Sequence, residues 1–342
     1  MVVGEAPGQE EEAQRRPFVG QSGELLSRYL ERAGVGRDEV YLTNLCKHRP
    51  KGNKFSQALG SDELLEDLNE LHAEIDAVDP NIIIALGGWP TQYLAAPAGM
   101  KNGAGIMKWR GSFLPTTPRW GKERKVLASY HPAYVLRAWD QNPIFFHDLR
   151  KAVRDASTPK LDLPKYESVI DPDPEQLREL LEEALSAPYI STDIETFPGG
   201  TFSCIGFCWS SDVGVCITKD RPDLHHFLRE MWESDTCKIL QYGTYDISFM
   251  RFFYGWKIGG YYAGQGWDTY VASAHLLPSF KRNLGFLCSI YTRFPFYKEE
   301  RKVWKEEGVM SSLWEYNIKD VIGTYEVAMA QMLEMTELYP GG

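Results

Sequence analysis

The stretch Val3–Gly8 (VGEAPG) ends a short apolar run and opens a turn that is rich in glycine and proline. Two later stretches, Leu42–Pro50 (LTNLCKHRP) and Ser129–Arg137 (SYHPAYVLR), also come where an apolar run stops. The apolar runs of this half are Met1–Val3, Val40–Leu45, Ile82–Leu86 and Val126–Ser129. Helical patterns lie between them, and this alternation is typical of a parallel sheet that is covered by helices on both faces. We therefore expect an α/β protein whose N-terminal half is a parallel-sheet αβα sandwich.

The second half of the chain has a different pattern. The segment 157–168 (STPKLDLPKYES) contains two prolines and is expected to link a domain over residues 1–156 to one over residues 169–342. Strands are expected over Tyr189–Glu195, Ser203–Trp209, Val213–Thr218 and Lys238–Gln241. Helices are expected over Asp173–Ser186, over Asp223–Glu233 and through most of the remainder to Glu337. This order predicts a mixed-sheet α/β domain.

Composition limits the classes of protein that remain. The chain has 342 residues, of which 43% are hydrophobic and 25% charged, as expected for a globular protein with two cores. No apolar run reaches the length of a membrane helix, and the N-terminus lacks a signal-peptide pattern. The six cysteines are scattered without a CxxC pair, which favours reduced core residues. We expect an intracellular, cytoplasmic protein with no membrane partner.

Several polar and aromatic side chains follow the expected strands of the first half. Ligands of open α/β sheets bind at the carboxyl ends of the strands, so Asn44 and His131 are expected to converge on the VGEAPG turn. Asn44 offers paired donor and acceptor groups that suit a pyrimidine edge, and Phe18 offers a stacking face. His131 can donate a hydrogen bond to a base that leaves as an anion. Taken singly, the turn, a loop-capping Asn44 and a strand-ending His131-Pro132 are equally ordinary structural features.

Two segments of this half are rich in basic residues. Residues Lys47–Lys54 carry four Lys or Arg side chains and no acid, and Lys101–Lys125 carry seven with one acid. Basic loops of this kind are expected to contact phosphates. The net charge of −10 does not oppose that reading, because most of the excess acid lies after residue 150.

Together, the motifs of the first half resemble family 4 uracil-DNA glycosylases over residues 2–155. The motifs that carry the resemblance, in family order, are GEAPG, RPFVGQSGELL, YLTN, NIIIALG, RGSF and HPAYVLR. The resemblance implies that uracil is excised from DNA, with Phe18 stacking on the base, Asn44 reading its edge and His131 stabilising the departing anion. Catalytic residues implied in this domain are Glu5 and His131, and substrate-binding residues are Gly4, Ala6, Pro7, Phe18, Asn44, Val135, Leu136 and Arg137. Val135 and Leu136 would wedge into the gap left by the flipped nucleotide.

This sequence departs from the family at two places. Ala6 stands where the best-known glycosylase family has a water-activating Asp, so leaving-group stabilisation would carry most of the catalysis. Family 4 enzymes also hold an iron–sulfur cluster through four cysteines, two of which lie before the GEAPG strand. Here the chain begins at Met1, the third position is His48 with Cys46 displaced by two, and the fourth falls in a helical pattern, Asp62–Ala77, that has no cysteine. No iron–sulfur cluster is therefore expected.

Carboxylates at regular spacing mark the second half. Asp193 and Glu195 are two apart on an expected strand, so both side chains point to one face and can share a cation. Tyr316 and Asp320 are four apart in a helical pattern and lie on one side of it, and Asp246 follows a later strand. Such oxygens suit Mg²⁺ or Mn²⁺, and two ions can generate hydroxide and stabilise a leaving oxygen. A solvated surface position is the alternative for each carboxylate taken alone.

These positions resemble the DEDDy-type 3′–5′ exonuclease domain of family A DNA polymerases, especially phage ones, over about residues 165–335. The resemblance includes Trp267-Asp268-Thr269 and Leu284–Tyr291 (LGFLCSIY), and it implies an RNase H-like fold. It also implies that Asp193, Glu195, Asp246 and Asp320 bind the metals and that Tyr316 orients the attacking water. Tyr242 departs from the pattern, because the family usually has Asn four residues before this Asp. No polymerase domain is expected after this one.

We therefore expect a bifunctional DNA-processing enzyme of a phage or a bacterial host cytoplasm, with a Mg²⁺- or Mn²⁺-dependent exonuclease site. Its expected partner is DNA, either single-stranded, with a free 3′ end, or containing uracil. One alternative is that the first domain binds uracil or single strands without cleaving and delivers ends to the exonuclease. A second alternative is that the chain is a proofreading subunit for a DNA polymerase supplied in trans.

Overall fold

The computed structural model describes residues 1–262, 264–301 and 309–339. The chain divides into two compact units, Met1–Leu163 and Pro164–Gly342, each with its own sheet. Within the described residues, no helix combines the length and the apolar character that crossing a membrane requires.

The sheet of the first unit has five strands in the order β2-β1-β3-β5-β4. The strands are β1 (Val2–Gly4), β2 (Leu42–Asn44), β3 (Ile83–Leu86), β4 (Phe113–Pro115) and β5 (Lys125–Ser129). All pairings are parallel except that of β4 with β5. The central strands are buried throughout, as expected for a parallel sheet with both faces covered. The predicted αβα sandwich is confirmed, with an antiparallel edge strand that the sequence did not predict.

Seven α-helices accompany this sheet in the described part of the unit. They are α1 (Gln9–Gln14), α2 (Gln21–Arg32), α3 (Asp62–Val78), α4 (Gly88–Ala95), α5 (Ile106–Trp109), α6 (Pro132–Arg137) and α7 (Asn142–Asp155). Ser61 caps α3 by accepting a hydrogen bond from the Leu64 amide at 3.1 Å. The helix α6 has Pro132 in its first turn and His131 as its N-cap. His131 is therefore fixed between the end of β5 and the start of a helix.

A buried ion pair supports the segment that carries His131. The Asp148 carboxylate on α7 accepts hydrogen bonds from Arg110 Nε at 3.0 Å and from Ser129 Oγ at 2.8 Å. Both ions are almost fully buried, so removing one partner would leave an uncompensated charge, which typically costs 3–5 kcal/mol. The bond from Ser129 to Asp148 joins the last residue of β5 to α7, two residues before His131.

The sheet of the second unit has six strands in the order β11-β10-β7-β8-β9-β6. They are β6 (Glu167–Ile170), β7 (Tyr189–Thr196), β8 (Phe202–Cys208), β9 (Val213–Thr218), β10 (Cys237–Leu240) and β11 (Trp267–Asp268). β8 runs antiparallel to both of its neighbours, and every other pairing is parallel. The predicted RNase H-like mixed sheet is confirmed. β6 begins at Glu167, so the last two residues of the expected linker, 157–168, are strand and not connection.

Long-range packing of the last helix positions the carboxylates of this unit. The helices are α8 (Pro174–Ser186), α9 (His225–Glu233), α10 (Thr244–Tyr254), α11 (Thr269–Leu276), α12 (Leu284–Tyr291) and α13 (Met310–Leu338). α13 packs on β8 and β9 so closely that a Cβ on Gly206 would lie 2.2 Å from Asn317 Oδ1. A Cβ on Gly214 would likewise lie 2.6 Å from Ile318 Cγ2. These two glycines let α13 approach the sheet, which brings Tyr316 and Asp320 to β7.

Candidate functional sites

The first site is a cavity of about 360 Å³ at the carboxyl ends of β1, β2 and β5. The predicted residues that line it are Glu5, Ala6, Phe18, Asn44, His131 and Arg137. β1 and β2 are parallel and in register, with Gly4 opposite Asn44, which sets their two ends side by side. A Cβ on Gly4 would lie 2.3 Å from Asn44 Oδ1 and 2.6 Å from Phe18 Cζ, so glycine is required for this approach. Pro7 lines a neighbouring cleft and not this cavity.

A carboxylate that the sequence reasoning missed holds the two turns of this cavity together. Glu11 Oε2 accepts a hydrogen bond from the Gly8 amide at 3.1 Å. Its Oε1 accepts from the amides of Val19 and Gly20 at 3.0 and 2.9 Å. Glu11 thereby fixes Phe18, which is buried at a positive φ of 53° that non-glycine residues seldom adopt. The only sequence signal was an acid in the first turn of a short helix.

His131 presents a neutral hydrogen-bond donor to the cavity. Its Nδ1 accepts a hydrogen bond from the Ala133 amide at 3.1 Å, so the proton of the neutral ring lies on Nε2. Burial lowers the pKa of the imidazole to about 4, and the positive charge of Arg137 adds to the shift. The ring is stacked at 28° to that of Phe18, with 6.1 Å between centroids. A neutral imidazole of this kind can donate to an oxygen that gains negative charge, and the ring need not first become a cation to do so.

The burial of one predicted residue contradicts its predicted role. Val135 is fully buried, so the prediction that it wedges between bases is wrong. Its neighbour Leu136 is 39% exposed and Arg137 is also exposed. The wedge therefore stays a prediction for Leu136 alone. Burial also raises the pKa of the Glu5 carboxyl, which lines the cavity.

The residues at the family's cluster positions do not fit an iron–sulfur cluster. Such clusters are held by cysteine thiolates, and Cys46 is the single cysteine of residues 1–163. Burial and the charge of Asp67 raise the pKa of the Cys46 thiol to about 12, which disfavours the thiolate. His48, at the third position, lies with its Nδ1 3.1 Å from Asp67 Oδ2 on α3. A histidine in contact with a carboxylate thus stands at the third ligand position, and neither group is a cysteine thiolate.

We accordingly expect the purified chain to contain no stoichiometric iron, even when it is prepared anaerobically from iron-supplemented cells. Elemental analysis and a visible absorption spectrum measure this directly. Bound iron with an equal amount of acid-labile sulfide would show that other groups supply the ligands.

The second site is a cluster of carboxylates on β7 and α13. Asp193, Glu195 and Asp320 each place an oxygen within 4.8 Å of the others. Asn317, which the sequence reasoning missed, holds α13 to the strand by donating from Nδ2 to the Asp193 backbone oxygen at 3.2 Å and to its Oδ2 at 3.0 Å. Burial and the neighbouring carboxylates, Asp246 first, raise the pKa of Asp193. Relief of this repulsion by a cation favours metal binding, and hard oxygen ligands suit Mg²⁺ or Mn²⁺.

Asp246, the fourth predicted ligand, is beside this cluster but not part of it. It lies in the first turn of α10, and its Oδ1 accepts a hydrogen bond from the Ile194 amide at 3.0 Å. That amide belongs to the residue between Asp193 and Glu195. Burial raises the pKa of Asp246 to about 7. Three of the four predicted ligands thus share one centre, and the fourth is bonded to the strand that carries two of them.

Among the residues that the structure describes, two cations and two tyrosines lie around the carboxylates. Lys298 Nζ lies 2.5 Å from Asp320 Oδ1 and donates to the Tyr316 hydroxyl at 2.9 Å. Arg301 Nη2 donates to Glu195 Oε2 at 2.8 Å. Tyr297 donates its hydroxyl proton to Asp320 Oδ1 at 2.8 Å. Burial and the charge of Asp320 raise the pKa of the Tyr316 hydroxyl, so it keeps its proton at neutral pH.

Aromatic side chains lead away from this centre along α10. Tyr245 shares a hydrogen bond of 2.8 Å with Thr196 Oγ1 at the end of β7. Its ring is followed along the helix by those of Phe249 and Phe253, at centroid distances of 6.2 and 4.4 Å. Tyr242, which departs from the family pattern, is 56% exposed with its ring 4.9 Å from that of Tyr270. Exposed aromatic rings of this kind can stack on bases.

Comparison with known proteins assigns the two units to families. Residues 1–156 match the uracil DNA glycosylase superfamily, and residues 169–336 match a 3′–5′ exonuclease family. A type-4 uracil-DNA glycosylase of Saccharolobus solfataricus is 36% identical over 167 residues, which cover 48% of this chain and 75% of that protein. One of Sulfurisphaera tokodaii is 37% identical over 161 residues, 47% of this chain and 71% of that protein.

A DNA polymerase of Bacillus phage SP01 is 28% identical over 163 residues, which cover 47% of this chain and 16% of the polymerase. Its match is therefore confined to a small part of that protein. The chain belongs to the uracil-DNA glycosylase superfamily through its first domain, carries a 3′–5′ exonuclease family domain as its second, and is a hydrolase.

Proposed function

We propose that this chain excises uracil from DNA at the first site and digests DNA from 3′ ends at the second, in a metal-dependent reaction. The observation that carries the proposal is that one chain holds both a cavity with a neutral histidine donor and a centre of three converging carboxylates. Both chemistries act on nucleic acid, and an excised base leaves a strand that a nuclease can then degrade.

In the proposed excision, Phe18 stacks on a flipped uracil and the Asn44 side chain pairs with its edge. The bond between the sugar and the base breaks, and the electron pair leaves with the uracil. His131 Nε2–H donates to the uracil oxygen on which that charge develops, so its hydrogen bond is strongest in the transition state. Water adds to the sugar carbon and loses a proton, which neutralises the uracil anion. The side chain of Ala6 is a methyl group and takes no part in activating this water. Glu5 supplies a carboxylate that also lines the cavity.

In the proposed digestion, Asp193, Glu195 and Asp320 hold a divalent cation, and Asp246 completes the site for a second one. Bound Mg²⁺ or Mn²⁺ would lower the pKa of water and neutralise the phosphate. Tyr316 keeps its proton and accepts a hydrogen bond from Lys298, so its own O–H is left to orient the attacking water. The exposed rings of Tyr245 and Phe253 on α10 offer stacking surfaces for the last bases of the 3′ strand.

A second candidate function for the first domain is uracil or single-strand binding without cleavage. The methyl side chain of Ala6 at the expected water-activating position favours it, because a flipped base would still be bound by Phe18 and Asn44. In that case the domain would deliver ends to the exonuclease. Action beside a DNA polymerase supplied in trans remains a further proposal, motivated by the likeness to a phage polymerase.

Asn44→Asp tests the base pocket. A carboxylate accepts from the exocyclic amine of cytosine but meets the uracil O4 as a second acceptor, so preference should move toward cytosine. We expect kcat/KM for uracil release to fall at least about a hundredfold and the uracil-to-cytosine ratio to fall at least about tenfold. Single-turnover assays on matched oligonucleotides measure both values.

Asn53→Asp is the matched control, because Asn53 lines the same cavity but is exposed at its rim. That variant should keep the wild-type ratio. If the Asn44 variant also keeps it, Asn44 does not read the base. Wild-type protein that binds uracil-containing DNA selectively without releasing uracil would support the binding function instead.

A further inference from the structure

Lys298 and Arg301 each bond to one carboxylate of the metal-binding cluster, and both lie over the ring of Tyr316. Lys298 Nζ contacts Asp320, which is 22 residues away in sequence, and Arg301 Nη2 contacts Glu195, which is 106 residues away. The Lys298 side chain is 21% exposed and that of Arg301 is 42% exposed, so both cationic groups reach the surface of the site. Glu195 and Asp320 are themselves buried.

Metal binding would remove the carboxylate partners of Lys298 and Arg301. The oxygens they contact, Asp320 Oδ1 and Glu195 Oε2, belong to the carboxylates that would hold a divalent ion. Two divalent ions would offset the four acidic side chains of the site. Among the described residues, the positive charges of Lys298 and Arg301 would then remain in excess beside them, and excess positive charge at a surface attracts an anion.

We propose that Lys298 and Arg301 form a binding site for a DNA phosphodiester, which they contact when metal ions occupy the carboxylates. The inference rests on the proposed exonuclease function. Guanidinium and ammonium groups are the side chains that bind phosphate best, Arg through two parallel hydrogen bonds. Lys298 also donates a hydrogen bond to the Tyr316 hydroxyl. The proposed phosphate-binding side chains therefore lie beside the residue proposed to orient water. In the metal-free protein the same two side chains neutralise the carboxylates.

The proposal makes opposite predictions for metal binding and for DNA binding. In the double variant Lys298→Met, Arg301→Met, calorimetric titration with Mn²⁺ in the absence of DNA should show affinity raised several-fold, because the competing cations are gone. Binding of a single-stranded oligonucleotide in saturating Ca²⁺ should weaken at least about tenfold, with the salt dependence reduced by about one phosphate contact for each cation removed. The conservative variant Lys298→Arg, with Arg301 intact, should keep the DNA affinity that the double variant loses.

Lys281→Met is the control, because Lys281 is an exposed lysine of the same domain. It should leave Mn²⁺ affinity unchanged and DNA binding nearly so. Weaker Mn²⁺ binding in the double variant, or unchanged DNA affinity and salt dependence, would overturn the proposal. Neither binding measurement needs cleavage. A wild-type chain that digests no DNA would therefore refute the exonuclease activity, and the two binding measurements would still test whether Lys298 and Arg301 bind phosphate.

Discussion

Asp320→Asn should lower 3′–5′ digestion at least about a thousandfold, equivalent to about 4 kcal/mol of lost transition-state stabilisation. The substitution keeps the shape of the side chain and an oxygen that accepts from Tyr297, but it removes one of three converging charges. Uracil release should stay within about twofold of wild type, because the proposed excision uses residues of the first unit alone. Initial rates on a labelled single strand in Mg²⁺, and uracil release in EDTA, measure the two effects separately.

The matched control is Glu337→Gln, which removes one carboxylate charge from the exposed end of the same helix. It should leave both rates unchanged. Digestion that survives in Asp320→Asn within about tenfold would mean that the three carboxylates are not the metal centre. An equal loss of uracil release would mean that the two sites are not independent.

His131→Ala should lower uracil release by about two to three orders of magnitude, the usual effect of removing one donor to a developing oxyanion. Binding to uracil-containing DNA should change much less, because Phe18 and Asn44 remain in the cavity. Single-turnover release and equilibrium binding, measured on the same oligonucleotide, separate the two effects. His72→Ala serves as the control, since His72 lies on α3 and does not line the cavity.

The pH profile tests the protonation state of the donor. Since the pKa of His131 is lowered to about 4, the ring is neutral at every pH above about 6, and its contribution should be flat from there to about pH 8. The neutral imidazole of His131 becomes a cation only as the pH falls through about 4. A release rate that rises steeply on acidification through pH 6 and disappears in His131→Ala would identify a cationic donor.

Much of the fold followed from the apolar runs. The buried strands β1, β3 and β5 and the helices α3 and α8 lie within about two residues of their expected positions, because buried strands and amphipathic helices have strong patterns. β4 and β6 were missed for a physical reason. Each is a short edge strand, of three and four residues, and only one side of such a strand is paired, so few positions must be apolar.

The sites were predictable where strand ends or regular spacing determine them. Asn44 and His131 end or follow parallel strands, so sequence order was enough to place them in one cavity. Arg301 and Asn317 act on Glu195 and Asp193 across more than a hundred residues, and no local pattern encodes such contacts. The error at Val135 has the same origin, because a motif gives a residue's place in the chain but tertiary packing decides its exposure.

The most direct test of two independent sites uses one uracil-containing oligonucleotide and its thymine-containing twin, each labelled at the 5′ end. In EDTA, followed by heating in alkali, the wild-type chain should cut the first strand at the uracil and leave the second intact. In Mg²⁺, both strands should shorten progressively from their 3′ ends. Loss of both activities in EDTA, or no cut at uracil in either condition, would contradict the two-site account.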